Sequence, residues 1–210
     1  MEKEMLKTGT TTVGLLCQDG IVLAADKRAT SGYLVVDKNS EKIHQITENM
    51  ALTTAGVVSD IQLLMKIIKA ELKLRKIRNG REQNIKESVN LLAGIVYGNI
   101  RKMSMIPGLS HFIVGGKDKF GFHLYDLFPD GSLTLSQDYI ASGSGSVMAY
   151  GVLETLYKKD MTVKQGVELA VKAINAALQR DVATGEGVKV VTITKEGINT
   201  VVNKELKVQL

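Results

Sequence analysis

The hydrophobic period of this chain switches four times along its length, and that switching narrows the choice of fold more than any other feature. Thr11–Cys17 and Ile21–Ala25 read as strands flanking Asp19-Gly20, a strong hairpin signal. Further strand-like runs fall near Tyr33–Val36, Glu41–Ile46 and Ala51–Ala55. The period then becomes helical. Val57, Ile61, Leu64, Met65, Ile68 and Leu72 form one stripe, ended by Gly80; Ile85, Val89, Leu92, Ala93, Val96 and Ile100 form a second, closed by Pro107-Gly108. Strands return at His111–Gly115, in the alternation Phe120–Leu127, and after the turn Asp130-Gly131 as one extension, Leu133–Ala141. Helices are expected over 146–158 and 163–182, the second opened by the capping box Thr162-x-x-Gln165. Strands Val188–Thr194 and Ile198–Val202, joined through Glu196-Gly197, close the chain.

This order implies an α+β fold. Two helix pairs covering two mainly antiparallel sheets make a four-layer α/β/β/α sandwich, and the lack of βαβ alternation disfavours a doubly wound parallel sheet. At 210 residues, 44% hydrophobic and 23% charged, the chain supports a single domain with a substantial core.

Several functions are disfavoured by the residues. The net charge is +5, and the densest basic stretch, Lys66–Arg81, lacks interleaved aromatics and reads as a solvated helix face rather than a nucleic-acid surface. Cys17 is the only cysteine, so no internal disulfide forms. No apolar run reaches membrane-spanning length and Met1–Lys7 lacks a signal-peptide core, so a cytoplasmic location without membrane contact is expected. His44, His111 and His123 are scattered without metal spacing, and neither metal nor cofactor is expected. A Cys17–His44 dyad stays open. Ser142–Ser146 matches neither a phosphate loop nor a nucleophile elbow and fits tight turn chemistry before a helix.

Thr10 offers a sharper possibility. It could simply open an edge strand, as β-branched residues do. If the chain is cut after Gly9, however, Thr10 carries a hydroxyl nucleophile and a free α-amine that can act as its base. The hairpin brings Thr10 and Asp26 to the same end of a sheet without deciding which face each side chain takes.

Several segments together resemble one family. Gly9-Thr10-Thr11-Thr12-Val13-Gly14 is similar to the processing site of proteasome β-type subunits. Asp26-Lys27-Arg28, Glu41-Lys42-Ile43, Ala55-Gly56-Val57-Val58-Ser59-Asp60, Gly143-Ser144-Gly145-Ser146 with Tyr150–Glu154, and Gln179–Gly185 follow in the family's order, covering about residues 8–200 with a pattern nearest archaeal β subunits. The resemblance implies a removable segment, residues 1–9, before one N-terminal-nucleophile hydrolase domain, residues 10–210. It implies Thr10 as nucleophile, Lys42 beside it, Asp26 orienting Lys42, and Ser144, Asp181 and Thr184 as a network near the α-amine. Gly56 would supply an oxyanion-stabilising N–H. Ala29, Thr54 and Val58 would line a neutral substrate pocket. Thr184 stands where the family commonly has Ser.

The resemblance further implies stacked heptameric β rings between α rings, a regulatory ATPase acting through those α rings, and unfolded polypeptides as substrates. The rival readings are a non-catalytic β-type ring subunit, an α-type subunit, the related two-ring bacterial protease subunit, and another N-terminal-nucleophile amidase. The α-type subunit carries a longer N-terminal helix than nine residues allow. The bacterial subunit is shorter and lacks an Arg180-to-Gly185 segment.

Overall fold

The computed structural model describes residues 9–104 and 107–206. The expected removable segment therefore lies outside the described residues except for Gly9, as do residues 207–210 of the tail. The strands are β1 (Thr11–Cys17), β2 (Gly20–Asp26), β3 (Ala29–Ser31), β4 (Leu34–Asp37), β5 (Ile43–Gln45) and β6 (Met50–Gly56), followed by helices α1 (Val58–Asn79) and α2 (Ile85–Ile100). Next come β7 (Ser110–Asp118), β8 (Gly121–Leu127), β9 (Leu133–Ser136), β10 (Tyr139–Gly143), α3 (Ser146–Leu156), α4 (Val163–Leu178), β11 (Gly187–Thr194) and β12 (Gly197–Glu205).

Two five-stranded antiparallel sheets are stacked, with strand orders β10-β1-β2-β11-β12 and β5-β6-β7-β8-β9, and β3-β4 forms a separate ribbon. Three apolar layers account for this arrangement. Val13, Leu15, Val22, Ala24 and Val190 pack beneath α3 and α4. Leu52, Phe112, Val114, Tyr125 and Leu127 pack beneath α1 and α2. Ile21, Leu23, Ile113, Leu124, Ile140 and Ile193 fill the space between the sheets. Central strands are thus apolar on both faces, which is why β1 and β2 read as near-continuous hydrophobic runs. The fold is the expected α/β/β/α sandwich, and no helix among the described residues is long and apolar enough to cross a membrane.

Three expectations change in detail. Leu133–Ala141 is not one extension: β9 belongs to one sheet and β10 to the other. The Asp138 carboxylate accepts from Ser136 Oγ at 3.0 Å and from the Tyr139 N–H at 2.7 Å, making a local turn, while the Asp138 carbonyl accepts from Leu16 N–H at 2.7 Å and brings β10 beside β1. Helix α4 stops at Leu178 rather than near residue 182, which frees Asp181 for the network described below. The Cys17–His44 dyad does not form. Cys17 is buried under Gly166 of α4, burial and then Asp19 push its thiol up to about 12, and His44 sits on β5 of the other sheet.

Gly14 sets how closely the sheets approach. A Cβ there would lie 2.6 Å from Ile113 Cγ2 and 3.0 Å from Leu124 Cδ1. Gly14→Ala is expected to destabilise the fold by about 1–3 kcal/mol through overpacking, read by chemical denaturation. An unchanged midpoint would show that the layer can relax.

Candidate active site

Asp26 ends β2 with its side chain buried, and its carboxylate gathers four donors. Oδ1 accepts from the Thr11 N–H at 2.9 Å and from Lys42 Nζ at 2.7 Å; Oδ2 accepts from the N–H groups of Arg28 at 3.1 Å and Gly185 at 3.0 Å. A buried carboxylate is tolerated only when so satisfied. Lys42 lies just before β5 and is 5% exposed. Desolvation holds its ammonium below the ordinary lysine value against the opposing pull of Asp26. Its remaining contact is the Gly9 carbonyl, 3.5 Å from Nζ.

That carbonyl precedes Thr10. Thr10 Oγ1 donates to it at 2.6 Å, and the Thr10 N–H donates to Ser144 Oγ at 3.2 Å. Ser144 donates in turn to Asp181 Oδ2 at 2.6 Å, which also accepts from Thr184 Oγ1 at 2.5 Å. The structure therefore gathers Thr10, Asp26, Lys42, Ser144, Asp181 and Thr184 around the Gly9–Thr10 peptide bond. Glycines permit that closure. At Gly143, with φ of +92°, a Cβ would overlap the Thr10 carbonyl, and at Gly145 it would overlap Thr11 Oγ1. The Ser142–Ser146 run thus folds the end of β10 and the start of α3 over Thr10. At Gly9 a side chain would collide with Ala183.

Gly56, at the end of β6 with φ of +131°, lines a cavity of about 440 Å³ together with Thr10, Lys42, Ala29, Thr54 and Val58. The wall carries more charge than those last three residues suggest, since Glu41, His44, Lys66 and Lys69 also line it. Glu41 is paired with Lys189 at 2.5 Å. Burial, then the nearby Lys69, lowers the pKa of His44.

Sequence reasoning missed several supports. Thr11 Oγ1 lies 2.6 Å from Thr184 Oγ1, and Thr30 Oγ1 accepts the Gly9 N–H at 3.1 Å. Arg28 donates to the Val182 carbonyl at 2.9 Å and to Glu186 at 3.1 Å. Glu186 is the one non-glycine residue with positive φ, +66°, among the described residues. Arg28 thereby ties down the loop that carries Asp181, Thr184 and Gly185. The Thr10-Thr11-Thr12 run was the available signal for Thr11; the roles of Thr30, Arg28 and Glu186 depend on contacts distant in sequence.

A family model described as Proteasome subunit matches residues 6–193. The chain is 45% identical to "Proteasome subunit beta 2" of Pyrococcus furiosus over 208 residues, 99% of this chain and 98% of that one. It is 42% identical to "Proteasome subunit beta" of Methanococcus maripaludis strain C7 over 206 residues, 98% and 92% of the two chains. It is 44% identical to "Proteasome subunit beta 2" of Pyrococcus abyssi over 199 residues, 95% and 93%. The chain belongs to the proteasome β subunit family. In this proteasome subunit the Gly9 carbonyl that accepts the Thr10 hydroxyl also lies 3.5 Å from the Lys42 ammonium, which the Asp26 carboxylate holds.

Asp26→Ala leaves Lys42 buried without its carboxylate partner and strips the Thr11, Arg28 and Gly185 N–H groups of their acceptor. A loss of about 3–5 kcal/mol is expected in chemical denaturation, and a loss under about 1 kcal/mol would mean that the pair is dispensable. Lys42 adds a pH dependence. Its folded pKa lies below 10.5, so between the two values the unfolded chain binds more protons, and this contribution to stability rises with pH through that window. Lys42→Met is expected to flatten the slope relative to the parent chain, measured by denaturation from neutral pH to pH about 10.

Proposed function

We propose that this proteasome β subunit is a threonine endopeptidase that activates itself by cutting after Gly9. The observation that carries the reading is the 2.6 Å approach of Thr10 Oγ1 to the Gly9 carbonyl oxygen, with the buried Lys42 ammonium 3.5 Å from that same oxygen. Oγ1 attacks the Gly9 carbonyl carbon and the Lys42 ammonium stabilises the developing oxyanion. The Gly9–Thr10 C–N bond then breaks. The hydroxyl proton ends on the departing Thr10 nitrogen, and Gly9 is left as an ester on Oγ1. Water hydrolyses the ester, releasing residues 1–9 with a C-terminal carboxylate and regenerating the hydroxyl.

The freed nitrogen is now an α-amine with an ordinary pKa near ~8, suited to act as a base near neutral pH. Ser144 and the Asp181–Thr184 pair hold it in place. It accepts the Thr10 hydroxyl proton as Oγ1 attacks a substrate carbonyl, then delivers that proton to the leaving amine. Water resolves the acyl ester with the amine again as base. The Gly56 N–H faces the substrate oxyanion in this scheme, and the cavity lined by Ala29, Thr54 and Val58 receives a side chain of the substrate. Unfolded polypeptides are the substrates. The subunit works within heptameric β rings stacked between α rings, α7β7β7α7, fed by a regulatory ATPase through the α rings. A cytoplasmic location accompanies this role.

Intact mass after assembly with α subunits tests the proposal. Loss of residues 1–9 is expected in the wild type and not in Thr10→Ala or Lys42→Ala, with peptide hydrolysis appearing only in the processed form. Retention of Met1–Gly9 by the assembled wild type would identify a non-catalytic ring subunit instead.

A further inference from the structure

A second cluster of chemistry-bearing side chains lies between the sheets. Ser142 Oγ is 2.8 Å from His111 Nδ1, and His111 Nε2 is 2.5 Å from Asp126 Oδ1. A carboxylate only accepts, so Nε2–H donates to Asp126, while Nδ1 shares the second hydrogen bond with the Ser142 hydroxyl. The residue types match a hydrolytic triad, but Ser142 is 2% exposed and no substrate carbonyl reaches it.

The placement points elsewhere. Ser142 lies two residues beyond Ile140 on β10, and His111 two residues before Ile113 on β7, so both share the inner face with the between-sheet core. The chain Ser142–His111–Asp126 therefore crosses from one sheet to the other. Each arm ends close to the candidate site. Gly143 and Ser144 follow Ser142 directly, and Ser144 accepts the Thr10 N–H. Across the gap His111 pairs with Ala55 and the adjoining pair is Ser110 with Gly56. In the same layer Thr12, opposite Ser142, and Thr53, opposite Ile113, have hydroxyl oxygens with no hydrogen-bond partner among the described residues. Another tie from β7 toward the opposite sheet, Lys117 Nζ to the Lys195 carbonyl at 2.5 Å, sits at the far end of that strand.

We propose that His111 is a positioning residue that clamps the two sheets at the site end, holding the Thr10–Ser144 side and the Gly56 side at a fixed separation. This rests on the catalytic reading above for its effect on turnover, whereas the clamp itself is a property of the fold. The bond that crosses between the sheets is Ser142–His111; Asp126, on β8 beside β7, fixes the imidazole that makes it, so losing either partner weakens the same link.

The test compares Ser142→Ala, Asp126→Asn and the double variant in the assembled particle, by backbone amide exchange and by peptide hydrolysis. Exchange at 143–145 and at 55–57 is expected to rise about three- to tenfold in each single variant, matching loss of one buried hydrogen bond, with residues 117–121 unchanged. The double variant is expected to be no looser than the singles, the mark of a shared link. Turnover falls by a similar factor with KM unchanged. Unchanged exchange, a rise confined to the mutated sheet, a uniform rise that includes 117–121, or additive effects would overturn the clamp. A particle whose wild type does not hydrolyse peptide would overturn the proposed function while the exchange pattern still decides the clamp.

Discussion

The carboxylate of Asp26 is the point on which the surrounding structure depends. It is buried at a strand end, where an uncompensated charge would be prohibitively costly, and its compensation comes from four separate stretches of chain: Thr11, Arg28, Lys42 and Gly185. Satisfying one charge thus forces the start of β1, the turn after β2, the approach to β5 and the loop before β11 to meet. Lys42 enters because its ammonium is needed there, and once buried it has the Gly9 carbonyl as its remaining neighbour. The meeting of a cation with the peptide bond before Thr10 is a consequence of that solution.

Close approach then requires missing side chains. Gly9, Gly143 and Gly145 each stand where a Cβ would overlap a neighbour: Ala183, the Thr10 carbonyl and the Thr11 hydroxyl respectively. The Gly-Ser run before α3 is best understood as packing around Thr10 rather than as a ligand loop. Local strain at one position is met differently. Glu186 adopts a left-handed backbone that disfavours side chains, and its ion pair with Arg28 helps to hold it there.

Much of the architecture was legible in the chain because period and turn chemistry are local. The Asp19-Gly20 hairpin, the two helical stripes and the Thr162–Gln165 capping box follow from neighbours in sequence, and the order of strand and helix blocks already implied covering helices on two sheets. The division of Leu133–Ala141 between two sheets was not legible. Both halves have strand character, and the crossing is made by Asp138, whose carboxylate shapes the turn and whose carbonyl meets Leu16. The early end of α4 was hidden for a similar reason: Gln179–Val182 reads as helix until Asp181 is claimed by Ser144 and Thr184.

By itself the sequence determined the α/β/β/α class, the single cysteine, and the presence of a threonine one residue past a glycine near the start of the chain, because these depend on composition and on spacing within one element. Only the tertiary structure decided which side chains face that threonine. Strand residues alternate faces, so a one-residue shift would have turned Asp26 away, and contacts such as Thr11–Thr184, Arg28–Glu186 and Ser142–His111–Asp126 join positions on different elements, far apart in sequence. No local period encodes such pairs; packing two sheets face to face creates them.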